Sequence, residues 1–123
     1  MAKLIYTNGD SWTAGDIVDP KLFGTNNAHV NHPKNKKYRL PRVWPGKLGK
    51  LLKTKVINNS VAGASNDRIL RGTINDILEL KNKYDTKDIF VIIGWSSPER
   101  KDFFYKWNEK DTGEWECLYP AEL

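Results

Sequence analysis

Ile89-Phe90-Val91-Ile92-Ile93 runs directly into Gly94-Trp95-Ser96-Ser97-Pro98. The apolar run is continuous rather than alternating and too short for a helix, so it reads as a strand with both faces covered. Strands of that kind sit inside parallel sheets, between helical layers. Upstream, Leu70, Ile74, Ile77 and Leu78 recur at helical spacing and predict an amphipathic helix that buries them. Ser65 or Asn66 is suited to cap it, Asp67 falls in its first turn, and Lys81, Lys83 and Lys87 follow near its negative pole.

Before that helix, Val56-Ile57-Asn58-Asn59 reads as a second strand that breaks at Ser60-Val61-Ala62-Gly63-Ala64-Ser65. Trp44, Leu48, Leu51 and Leu52 predict another buried helical stripe, with Pro45 in its first turn. Leu4-Ile5-Tyr6 is a first short strand. Strands alternating with helices predict an α/β protein: a three-layer, flavodoxin-like, doubly wound parallel sheet with strand order 2-1-3 and right-handed crossovers. From Thr13 to Arg42 no period is sustained, and Gly15, Pro20, Gly24, Pro33 and Pro41 interrupt the chain, as in a lid or pocket wall. Residues 103–107 and 114–119 flank Asn108-Glu109-Lys110-Asp111-Thr112-Gly113 and read as a hairpin. At 123 residues the chain reads as a single domain, 1–123.

The single cysteine, Cys117, excludes an internal disulfide, and nothing demands an oxidising compartment. The N-terminus turns polar at Thr7, too early for a secretory signal, and no apolar run is long enough to cross a bilayer. A soluble cytoplasmic or virion-associated protein without a membrane partner is the expectation. Net charge is +5, and no acidic residue falls between Asp19 and Asp67, where Lys34, Lys36, Lys37, Arg39, Arg42, Lys47, Lys50, Lys53 and Lys55 accumulate. Without aromatic interleaving or a nucleic-acid motif, this block reads first as a solvated basic face; phosphate or anionic-glycan binding is the alternative. His29 and His32 have no cysteine or carboxylate cluster beside them and read as loop residues rather than as a base folded back onto a site or as the weak metal pattern of their spacing, so neither metal nor cofactor is expected.

Parallel strands bring the turns at Ser11, Gly63 and Gly94 to one sheet edge, where open α/β sheets place their chemistry. Ser11 is the nucleophile candidate. A serine hydroxyl needs a base to remove its proton and donors for the developing oxyanion. The N–H groups of Ser11 and Gly63, with the hydroxyl or N–H of Ser96, can supply those donors. Asp10 reads as a turn residue rather than as the base, and Trp12, Trp95 and Trp107 read as core aromatics, with the lining of a pocket as the alternative.

Gly9-Asp10-Ser11-Trp12-Thr13-Ala14-Gly15 resembles the first block of the SGNH, or GDSL-type, hydrolases, whose serine is the nucleophile. Asn58-Asn59-Ser60-Val61-Ala62-Gly63-Ala64-Ser65 is similar to the second block, whose glycine donates to the oxyanion hole. Gly94-Trp95-Ser96-Ser97 stands where the third block reads Gly-x-Asn-Asp, so Ser96 takes the asparagine's place. The resemblance spans residues 3–97, and its fourth block, Asp-x-x-His, has no counterpart because no histidine follows His32. It implies an esterase or acylhydrolase for a small ester or acylated carbohydrate, with catalytic Ser11, an oxyanion hole of Ser11, Gly63 and Ser96, and a base from elsewhere. It also implies further strands, so the chain reads as the N-terminal portion of a longer domain or as one completed by a second chain, unless the hairpin covers the sheet edge. The tail Pro98–Tyr119 is similar to related bacteriophage-encoded proteins. The alternative reading is a catalytically inactive binding or structural module.

Overall fold

β1 (Leu4–Gly9) is buried along its whole length and pairs in parallel on both sides, with β2 (Lys55–Asn58) and with β3 (Ile89–Gly94). The computed structural model describes residues 2–105 and 113–118. The protein is a mixed α/β domain around a three-stranded parallel sheet of order β2-β1-β3, the order read from the sequence. Its α-helices are α1 (Ser11–Ala14), α2 (Pro20–Phe23), α3 (Lys36–Arg39), α4 (Trp44–Leu52) and α5 (Asn66–Leu80). Two further strands, β4 (Lys101–Tyr105) and β5 (Glu114–Leu118), form a separate antiparallel pair.

Alternation along β1 separates the two helical layers. Tyr6 and Asn8 point to α5: the Tyr6 hydroxyl donates to Asp76 Oδ2 at 2.5 Å, and Asn8 Nδ2 donates to the Ile69 carbonyl at 3.4 Å and to Thr73 Oγ1 at 3.3 Å. Ile5, Thr7 and Gly9 point the other way. A Cβ on Gly9 would lie 2.6 Å from Thr13 Oγ1, so only glycine lets α1 fold back against the strand end. Val56, the register partner of Ile5, meets α4 on that same side, where a Cβ on Gly49 would lie 2.3 Å from Val56 Cγ2.

Several sequence-based expectations are corrected by this packing. The stripe of Leu70, Ile74 and Leu78 is half-exposed; α5 buries Ile69 instead and turns Thr73 and Asp76 toward β1. Hydrogen bonding to Tyr6 and Asn8 sets the helix rotation and leaves its apolar flank outside the sheet. In α4 the buried residues are Pro45 and Gly49, while Trp44, Leu51 and Leu52 are exposed, because the helix approaches β2 through its smallest side chain. β3 lies at the edge that the order 2-1-3 gives it, and the expectation that both its faces are covered fails: Phe90 is 56% exposed. The hairpin does not cover that edge, since β4 and β5 pair only with each other. It docks instead at the start of α5, where Asp102 accepts from the Ser65 hydroxyl at 2.6 Å and pairs with Arg71 at 2.7 Å, and the Arg71 guanidinium lies over the Trp115 ring. Trp107 and the hairpin loop residues 108–112 lie outside the described residues. The stretch from 13 to 42 is not shapeless; it forms α2, α3 and two 3-10 turns, and Asp19, Asn26 and His32 cap α2 and the two turns, a local chemistry that leaves no period to detect.

Burial, reinforced by the Asp76 carboxylate, holds the Tyr6 phenol above its ordinary pKa of 10.0. Above that pH the unfolded phenol loses its proton while the native one keeps it, so this stabilisation is complete below pH 10 and is lost as pH rises further. Urea unfolding should show native stability falling by up to ~1.4 kcal/mol per pH unit beyond that point on account of Tyr6. Tyr6→Phe should remove that component and cost about 1–2 kcal/mol at neutral pH. Equal alkaline slopes in the two proteins would refute it.

Candidate functional site

The C-terminal ends of the three strands open on one edge because all pair in parallel. At the end of β1 the chain turns sharply into α1, with Asp10 as its N-cap: Oδ1 accepts from Trp12 N at 3.0 Å, and its carbonyl accepts from Thr13 N and Ala14 N. Asp10 is thus a buried turn residue, as its position implied. Ser11 follows as the first residue of α1, half-buried at the edge. A hollow of about 420 Å³ is lined by Ser11, Trp12, Gly15 and Asp16. Trp12 is 87% exposed there and Trp95 is exposed as well, so neither packs in the core, and Trp12 takes the pocket-lining alternative. The short α1 turns Trp12 outward while Thr13 and Ala14 take the buried positions.

The β2 exit is drawn toward β1 by two main-chain hydrogen bonds, Asn59 N to the Thr7 carbonyl at 3.0 Å and Val61 N to the Gly9 carbonyl at 3.1 Å. Gly63 lies in the turn closed by Ala64 N and the Val61 carbonyl, with φ of 81°, a left-handed conformation that favours glycine. Gly94 pairs with Gly9 and, like it, abuts Thr13. Beyond it, Ser96 is clamped to the start of α5: its N–H donates to Asn66 Oδ1 at 2.6 Å, and Asn66 Nδ2 donates to the Ser96 carbonyl at 3.1 Å. The Ser96 N–H is therefore occupied, which corrects one of the two donor roles open to it. Its hydroxyl accepts from Arg100 Nη1 at 2.9 Å, and the same nitrogen stands 3.6 Å from Asp10 Oδ2.

Arg100 is the principal site residue that sequence reasoning missed. It belongs to no periodic segment, and only the return of β4 across the head of α5 brings it to Asp10. His29 and His32 cluster with Phe23, at ring separations of 4.8 and 5.2 Å, and His32 Nδ1 accepts from Lys34 N; neither lines the Ser11 hollow. Among the described residues no group of three or more His, Cys, Asp or Glu is placed to hold a metal, and no helix is long and apolar enough to cross a membrane.

The chain belongs to a family of unknown function (DUF6071), which matches residues 25–121. No curated protein and no solved structure matches it. This family overturns the SGNH assignment, since no SGNH or GDSL-type family matches the chain. The motifs behind that assignment have local causes: Gly9 and Gly94 must clear Thr13, Asp10 caps α1, and Gly63 adopts positive φ. Sharp exits from a parallel sheet require such residue types whatever the family.

Asp102 anchors the segment that carries Arg100, through a carboxylate that is nearly enclosed while Arg71 is partly exposed. Asp102→Ala should cost about 1–3 kcal/mol of stability. Hydrogen exchange of residues 96–104 should accelerate while that of β1 changes far less. Uniform acceleration across both would contradict the anchoring role.

Proposed function

We propose that the protein hydrolyses small acyl esters, among them O-acyl groups on carbohydrates, with Ser11 as the nucleophile. The observation that carries this reading is the position of Ser11, first in α1 at the C-terminal end of a fully buried central strand, beside an open hollow. In this reading the N–H groups of Ser11 and Gly63 and the Ser96 hydroxyl hold the oxyanion, and the sheet is the core of a flavodoxin-like three-layer arrangement. Trp12 offers an exposed aromatic face to a sugar ring next to the reacting hydroxyl. Arg100, paired with Asp10, donates to the Ser96 oxygen and so leaves that hydroxyl's own proton to donate to the oxyanion. Neither histidine of the chain lines the hollow, so the base that deprotonates Ser11 is a group other than His29 and His32.

A second reading, a binding module without catalysis, is favoured by one specific observation. The ionisable group joined to Ser96 and Asp10 is a guanidinium, which cannot accept a proton from serine. Exogenous imidazole separates the two, because it supplies the missing base. The protein should hydrolyse p-nitrophenyl acetate slowly, since a general base is worth about 100- to 10,000-fold. Added imidazole should raise that rate above the imidazole-only background, and Ser11→Ala should abolish both activities. No Ser11-dependent turnover, with or without imidazole, would leave the binding module as the correct reading.

A further inference from the structure

A second cavity lies at the exit of β2, separate from the Ser11 hollow, with a volume of about 250 Å³. Its lining includes Lys36 and Arg39 from α3, Arg68 from the first turn of α5, and Ser60, and contains no carboxylate. We propose that this cavity binds the phosphate group of a small molecule.

Arg39 carries the case. It is 3% exposed, yet its guanidinium has one hydrogen-bond partner among the described residues, the Ala14 carbonyl at 2.5 Å, and its Nε has none. A buried cation with no counter-charge is costly, and proteins ordinarily pair such a group with an anion. Ser60, equally buried, also has a hydroxyl without a partner. Two nine-tenths-buried polar side chains therefore line the same cavity with bonding capacity unused. The charged ends of Lys36 and Arg68, at its exposed margin, make no ion pair among the described residues. Asn31 adds a neutral donor: its side-chain Oδ1 accepts from Ala62 N at 3.3 Å, and its amide NH₂ has no acceptor among the described residues.

The donor set selects the ligand class. Three cations from two separate helices and a hydroxyl line this one cavity with no carboxylate among them, a donor-rich set that suits the several oxygens of a tetrahedral dianion better than a planar carboxylate. The volume corresponds to about eight water molecules at liquid density, enough for a phosphate and a small substituent. Lys47 and Lys50 on α4 do not line this cavity and provide the contrast between a built site and a solvated basic face.

The test is titration of the full chain with inorganic phosphate and with phenyl phosphate, in chloride buffer at constant ionic strength, followed by calorimetry and by thermal unfolding. Both probes should bind saturably and raise the unfolding midpoint. Lys36→Ala/Arg68→Ala, which removes only exposed side chains, should weaken binding by about tenfold or more, given the usual strength of two charged hydrogen bonds. Lys47→Ala/Lys50→Ala should leave the affinity unchanged. Absence of saturation, equal loss in both double variants, or binding of a single-stranded oligothymidylate without binding of either phosphate probe would overturn the proposal.

Discussion

Asn8 occupies the most demanding position in the molecule. It stands in the central strand, nearly inaccessible, with an amide that must be fully hydrogen-bonded or cost a few kcal/mol. The structure meets that demand from the strand and from one helix: Asn8 Nδ2 reaches the Tyr6 hydroxyl of β1 and the Ile69 carbonyl and Thr73 of α5, while Oδ1 accepts from Gly9 N at 2.8 Å. These bonds fix the height and rotation of α5 over β1. Everything at the head of that helix inherits the constraint, since Asn66 clamps Ser96 and Ser65 grips Asp102. The position of Arg100 at the sheet edge is thus set, through several rigid links, by a polar residue buried in the core.

That dependence explains which features were legible in the sequence. The strands, their order and the Ser65 cap follow from short-range chemistry: apolar runs, turn residues, and an oxygen placed to accept from Arg68 N. The inward face of α5 does not follow from hydrophobicity, because Asp76 and Thr73 point to the strand for hydrogen bonds while Leu70, Ile74 and Leu78 do not. The same failure affects α4, where close approach through Gly49 outweighs the leucine stripe. Ile89–Gly94 reads from its composition as covered on both faces, but composition does not count neighbours; the strand lies at the edge that the order 2-1-3 implies, with Phe90 and Val91 exposed.

The candidate site shows the same division. Ser11, Gly63 and Gly94 were readable because a parallel sheet must turn sharply at each exit, and those turns select a few residue types. The family assignment drawn from them failed for that very reason: residues demanded by backbone geometry carry little information about ancestry. Arg39 and Arg100 were hidden for the opposite reason. In the sequence each is one cation within a basic chain; only the fold buries one and brings the other to Asp10.

The buried polar atoms without partners among the described residues are distributed unevenly between the two faces of the sheet. On the α5 side Tyr6, Asn8, Thr73 and Asp76 form a connected network in which the buried groups find partners. On the other side lie Thr7 Oγ1, Arg39 Nε and Ser60 Oγ, the buried side-chain atoms without partners among the described residues. Arg39 joins α1 directly, donating to the Ala14 carbonyl, while Thr7 lies on that face of β1 and Ser60 adjoins Asn58, which donates to the Thr13 carbonyl. A satisfied network resists movement, whereas unsatisfied buried groups are costly and persist where they have another use. The α5 layer therefore acts as the scaffold, and the short helix that carries Ser11 rests on the layer where bonding capacity remains unspent.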